Sequence, residues 1–118
     1  DYQPSRGLGD VYKRQITCAA LSASERKKAA SIIGEKLMKS KGPTAFIMTH
    51  GGFDDWDREG EWAFDQNAIN SFHEEMKNIL KEPVKYYEIK QNINEPEFTN
   101  LALQIFDEWL DEGLIKIN

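Results

Sequence analysis

The segment Thr44–Thr49 (TAFIMT) limits the fold of this chain more than any other stretch. It is a continuous apolar run with no polar alternation, preceded by Gly42-Pro43 and followed by His50-Gly51-Gly52. A strand with one wet face alternates apolar and polar residues, whereas a strand of a parallel sheet is covered on both faces and reads as apolar throughout. The run therefore predicts a buried strand of a parallel sheet, and its flanks have to supply the covering helices.

They carry the pattern. Ser22 or Ser24 can cap a helix over about Ser24–Ser40, with Ala29, Ile32, Ile33 and Leu37 as its apolar stripe. The lysines, Glu25 and Glu35 form its solvated face, and Gly42-Pro43 stops it. Asp65 caps a second helix, about Gln66–Leu80, whose buried stripe is Ile69, Phe72, Met76 and Leu80. Pro83 breaks the chain before a second strand, Val84–Ile89, which is more polar because it holds Lys85 and Glu88. Glu95-Pro96-Glu97 opens a third helix with the stripe Phe98, Leu101, Ile105 and Trp109, and Gly113 ends it.

With Ile16–Ala20 read as the end of an earlier strand, the order is (β)αβαβα. This is an α/β fold, a partial Rossmann-like parallel sheet with right-handed crossovers and helices packed on the sheet. Two or three parallel strands are too few for a run as apolar as Thr44–Thr49, since each buried unpaired backbone group costs about 1–3 kcal/mol. The pattern predicts that the sheet continues outside these residues, so that 16–118 is the C-terminal part of a larger domain. Residues 1–15 (DYQPSRGLGDVYKRQ) have neither a helical nor a strand period. They are expected to be disordered, or a non-native adaptor-like segment, and stand outside the fold argument.

Charge narrows the partners. The formal net charge is −5 and the acids are spread along the chain, which repels phosphate backbones, so no nucleic-acid partner is expected. No run reaches the roughly 18–20 apolar residues of a membrane helix, and no secretory signal is visible, so a cytoplasmic protein without a membrane partner is expected. A single cysteine, Cys18, has no partner for a disulfide and no neighbours for a metal site.

The candidate site is the loop His50–Phe64, because ligands of open α/β sheets gather at the C-terminal ends of the strands. His50 is placed for acid–base work near neutral pH, and Gly51-Gly52 allow close approach of backbone to an anion. Against these stand the plainer readings of a loop hydrogen-bonder and a turn. Asp54, Asp55, Asp57, Glu59 and Glu61 offer oxygens for Mg²⁺ or Ca²⁺, but their spacing does not match the calcium loop D-x-[DN]-x-[DN]-G, and no metal site is assigned. Trp56 and Trp62 either stack on a flat ligand or fold the loop onto the sheet, the second being favoured. Asn92 and Asn94, at the neighbouring strand end, bind a ligand or serve the turn. His73, between helical acids, reads as a surface residue.

Two motifs in order resemble the C-terminal domain of the Tm-1-like ATP-binding family. The first is Gly42-Pro43, an apolar strand, then Gly52, Asp57, Gly60, Phe64-Asp65 and Ala68. The second is Ile93-Asn94-Glu95-Pro96-Glu97-Phe98, similar to the family's Ile-Asn-Asp-Pro-x-Phe. The family's usual Pro after the strand and Ser in the loop are replaced here by Met48-Thr49-His50 and Phe53-Asp54-Asp55. The resemblance implies a two-domain Rossmann-like protein of poorly defined biochemical role, linked to ATP with Mg²⁺ chiefly through an N-terminal domain absent from these residues. His50, Gly51, Gly52, Asp57 and Asn94 are then the ligand-binding candidates of this domain. Alternatives are a small-metabolite enzyme using His50 and the loop carboxylates, and a non-catalytic module that assembles a homo-oligomer.

Overall fold

A computed structural model of the chain describes residues 21–117. The adaptor-like reading of residues 1–15, the early strand at Ile16–Ala20 and the reading of Cys18 lie outside the described residues. Five elements follow one another: α1 (Ala23–Met38), β1 (Ala45–Thr49), α2 (Gln66–Ile79), β2 (Lys85–Ile89) and α3 (Pro96–Asp111). β1 and β2 pair in parallel, from Ala45 opposite Lys85 to Thr49 opposite Ile89. The α/β class and the parallel sheet with packed helices are as the sequence predicts.

Local chemistry sets the boundaries. Ser22 closes a capping box on α1: its hydroxyl accepts the Glu25 N–H at 3.2 Å, and the Glu25 carboxylate accepts the Ser22 N–H at 2.8 Å. Asp65 caps α2 by accepting the Ala68 N–H at 3.1 Å. α3 starts on Pro96, which needs no N–H in the first turn, and its N-cap Glu95 makes no side-chain cap bond.

The core forms where α2 lies on one face of the sheet. Met48 of β1, the α2 residues Ile69, Phe72 and Met76, and Leu80 and Val84 beyond its end are buried together, so the predicted α2 stripe holds. Strand alternation sends Phe46 to the same side, where its ring lies 6.1 Å from Phe72 and 6.0 Å from Tyr86. α1 differs from expectation. Ile32 and Ile33 are exposed, and the buried row is Arg26, Ala30 and Gly34. The cause is that α1 packs along α2, and small residues at four-residue spacing set how closely two helices approach. A Cβ on Gly34 would come within 2.8 Å of Ile79 Cγ2.

The opposite face is thinly covered. Along α3 only Ile105 is buried, while Phe98, Leu101 and Trp109 are half-buried, and Ile93 and Phe98 border an apolar groove with Ala45, Ile47 and Thr49. Among the described residues β1 is paired along one edge only. Met48 and Thr49 are buried but Ala45, Phe46 and Ile47 are partly exposed, so the predicted two-sided cover is met at the C-terminal end of the strand and not at its start. No helix of the described residues is long and apolar enough to cross a membrane.

Candidate functional site

At the C-terminal end of the sheet, the loop after β1 and the loop after β2 are joined. The Gly51 N–H donates to the Gln91 carbonyl at 3.1 Å, and the Ile93 N–H donates to the Gly52 carbonyl at 3.1 Å. Glycine is required at both contact points. A Cβ on Gly51 would sit 2.5 Å from the Asn92 nitrogen, and Gly52 combines a φ of +116° with a hypothetical Cβ 2.5 Å from Asp57 Oδ1.

Two buried polar side chains fasten this junction. Asn92 donates through Nδ2 to the carbonyls of Gly51 at 3.1 Å and Asp54 at 2.6 Å, and its Oδ1 accepts the Asn94 N–H at 2.9 Å. The Asp57 carboxylate accepts the N–H groups of Phe53 at 2.9 Å and Asp54 at 3.0 Å, and lies 3.8 Å from Arg26 Nη1. Arg26 is buried, its guanidinium 5.6 Å from the centre of the Phe53 ring. Buried polar groups survive only when paired, and Asn92 and Asp57 are paired chiefly with the backbone of the two loops.

The predicted site residues therefore divide. Gly51, Gly52 and Asp57 come together, and the amides of Gly51, Gly52, Phe53 and Asp54 all donate within the junction. Asn94 stands apart on the rim, where its Nδ2 donates to Asp55 Oδ1 at 3.1 Å. The same oxygen accepts Arg58 Nη2 at 2.9 Å, while the other arm of Arg58 pairs with Glu95. Hydrogen bonds from Arg58 and Asn94 hold the Asp55 carboxyl below its ordinary value. Trp56 and Trp62 do not fold the loop down as favoured above: Trp62 is 59% exposed, its ring 6.3 Å from that of Trp56. Gly52, Asp57 and Ala63 are the buried loop residues instead.

His50 points to the α2 face. Its Nε2 lies 2.9 Å from Glu88 Oε1, and its ring meets that of His73 edge-on at 4.6 Å. His73 is no surface residue, since its side chain is 19% exposed and its Nδ1 lies 2.7 Å from the Tyr86 hydroxyl. The hydrogen bond from His50 lowers the Glu88 pKa, burial lowers that of His73, and burial raises that of Tyr86. None of the loop carboxylates hydrogen-bonds to His50.

Sequence reading missed Glu88, His73, Arg26 and the burial of Asn92. Glu88 was legible in part, since it follows Tyr86 by two and shares its face, and the register places it opposite Met48, beside the path to His50. Arg26 lies one row before Ala30 and Gly34, the small residues that mark a close helix contact.

Residues 6–110 match the C-terminal domain of the uncharacterised protein family UPF0261. The UPF0261 protein BMEII0128 of Brucella melitensis biotype 1 is 34% identical over 105 residues, covering 89% of this chain and 25% of that relative. The UPF0261 protein BRA1168/BS1330_II1159 of Brucella suis biovar 1 is 33% identical over the same shares. The chain thus spans about a quarter of the length of these curated relatives. The motifs at Gly52–Ala68 and Ile93–Phe98 pointed to the C-terminal domain of an uncharacterised two-domain family, and the chain belongs to the UPF0261 family, whose C-terminal domain it carries.

Proposed function

We propose that this domain is one wall of a nucleotide site, for ATP with Mg²⁺, closed by an N-terminal domain in a cytoplasmic protein of the relatives' length. The observation behind the reading is the fastened loop junction at the C-terminal ends of two parallel strands, the edge where open α/β sheets receive ligands. Gly51, Gly52 and Asp57 act in it as positioning residues, and Asn94 and His50 as the groups that reach a ligand. Asp54, Asp55, Glu59 and Glu61 are exposed around the junction, so a polyphosphate needs a bridging cation or basic groups from the facing domain. The one-sided pairing of β1 and the apolar groove beside it fit a sheet that continues into such a domain.

The test is titration of the full-length protein with ATP, with and without Mg²⁺, against the Asn94→Ala and His50→Ala variants. A hydrogen bond to a charged group contributes about 1.5–3 kcal/mol, so removing either side chain should weaken binding about tenfold or more. Affinity unchanged in both variants removes these residues from the site. A second reading, acid–base chemistry on a small metabolite, draws on the Glu88 carboxylate 2.9 Å from His50. Turnover that survives His50→Ala eliminates it.

A further inference from the structure

His50, His73 and Glu88 reach one point from three different elements: the end of β1, the middle of α2 and β2. One donor atom from each lies within 4.8 Å of the other two. Glu88 Oε1 is 2.9 Å from His50 Nε2 and 3.8 Å from His73 Nε2. We infer that these three side chains form a binding site for a divalent transition metal of the Zn²⁺ class.

The geometry fits that class. Zinc ligands bond at about 2.0–2.2 Å, so the donors of a tetrahedral site stand about 3.3–3.6 Å apart. The two separations from Glu88 bracket that spacing, and no two of the three donors are more than 4.8 Å apart. Two imidazoles and one carboxylate suit zinc and its first-row neighbours, whereas Mg²⁺ and Ca²⁺ take oxygen ligands. The Tyr86 hydroxyl already engages His73 Nδ1 at 2.7 Å, which fixes the ring and leaves Nε2 facing the cluster. Metal-binding histidines have such a partner on their second nitrogen almost without exception.

The support beneath is rigid. Phe72, next to His73 on α2, and Met48, opposite Glu88 in the sheet register, are buried in the core. Above, Glu88 is 40% exposed, so a fourth position opens to water, as in sites that act on a bound molecule. Lys77 Nζ sits 3.9 Å from Glu88 Oε2, leaving Oε1 as the metal-facing oxygen while its charge opposes a cation. The site shares His50 with the proposed nucleotide wall, but His73 and Glu88 belong to it alone, so Zn²⁺ binding and ATP binding are tested separately.

Calorimetric titration of the metal-stripped full chain with Zn²⁺, and with Co²⁺ for its visible spectrum, tests the inference. One equivalent should bind, with a Co²⁺ spectrum of nitrogen and oxygen ligands in four-coordination. His50→Ala and Glu88→Gln should each weaken binding tenfold or more, Tyr86→Phe should weaken it less, and Lys77→Met should tighten it. Circular dichroism and metal-free melting verify that each variant is folded. Glu88→Gln keeps the side-chain shape, so it remains informative if His50→Ala fails to fold. Zn²⁺ affinity equal in wild type, His50→Ala and Glu88→Gln, or an octahedral hexa-aqua-like Co²⁺ spectrum, overturns the site.

Discussion

Two polar clusters occupy the same end of the sheet and are built on opposite terms. Around Asn92 and Asp57 the polar groups are buried and largely satisfied by neighbouring backbone, with Arg26 Nη1 the buried side-chain atom left without a hydrogen-bond partner among the described residues. Around His50, His73 and Glu88 the groups are partly open, and they hold lone pairs that the protein does not use. The first arrangement spends its polar atoms on holding two loops together. The second keeps them for something else, and the comparison separates a positioning cluster from a binding one by how its lone pairs are committed.

The comparison breaks most visibly at Asp57. Asp57→Ala strips two backbone amides of their acceptor and leaves Arg26 buried without its counter-ion, a kind of change that costs about 3–5 kcal/mol. Much of a small domain's stability is at stake, and Asp57→Asn, which keeps one acceptor oxygen, should lose less. Urea unfolding of both variants measures the order. Asn92→Ala should follow at about 2 kcal/mol, because two carbonyls and one N–H lose their partner in a buried place. Equal stability of Asn92→Ala and wild type would mean that the loops are held by their backbone bonds alone.

Asp65 supplies a scale for these effects. Its carboxylate caps α2 in an exposed position, and Asp65→Ala should cost about 1 kcal/mol by thermal melting. That cap was plain in the sequence, as were the α2 stripe and the parallel class, because each is written in residues close together along the chain. The α1 face was not, because Ala30 and Gly34 have no hydrophobic signature and Ile32 and Ile33 do. Their burial is decided by the neighbouring helix. The two clusters lie still further from sequence logic: Arg26 with Asp57, Gly51 with Asn92, and His50 with Glu88 join residues tens of positions apart. His73 read as a surface residue for the same reason, since the tyrosine that covers it sits on β2.

The rim of the loop junction responds to acid. Asp55 has a folded pKa below its ordinary value, so the tie it makes with Arg58 and Asn94 is complete above that ordinary value and disappears as the pH falls through the lower folded one. The Arg58 and Asn94 side-chain NMR signals should move over that acid window. The same signals in Asp55→Asn should be flat, and the stability change should be small because the group is exposed.

The smallest effect on folding carries the sharpest contrast. Glu88→Gln exchanges one acceptor of an exposed pair for another, so the metal-free melting temperature should change little, by the equivalent of about 0.5 kcal/mol or less. With Zn²⁺ at a hundred times its dissociation constant, wild type should gain about 2.7 kcal/mol and the variant much less, because only the folded state assembles the three donors. Asp57→Ala should show the reverse, a large loss without metal, with the zinc increment retained wherever the variant still folds. If the zinc increment instead follows the loss of stability in both variants, the two clusters are one cooperative structure and the distinction between them fails.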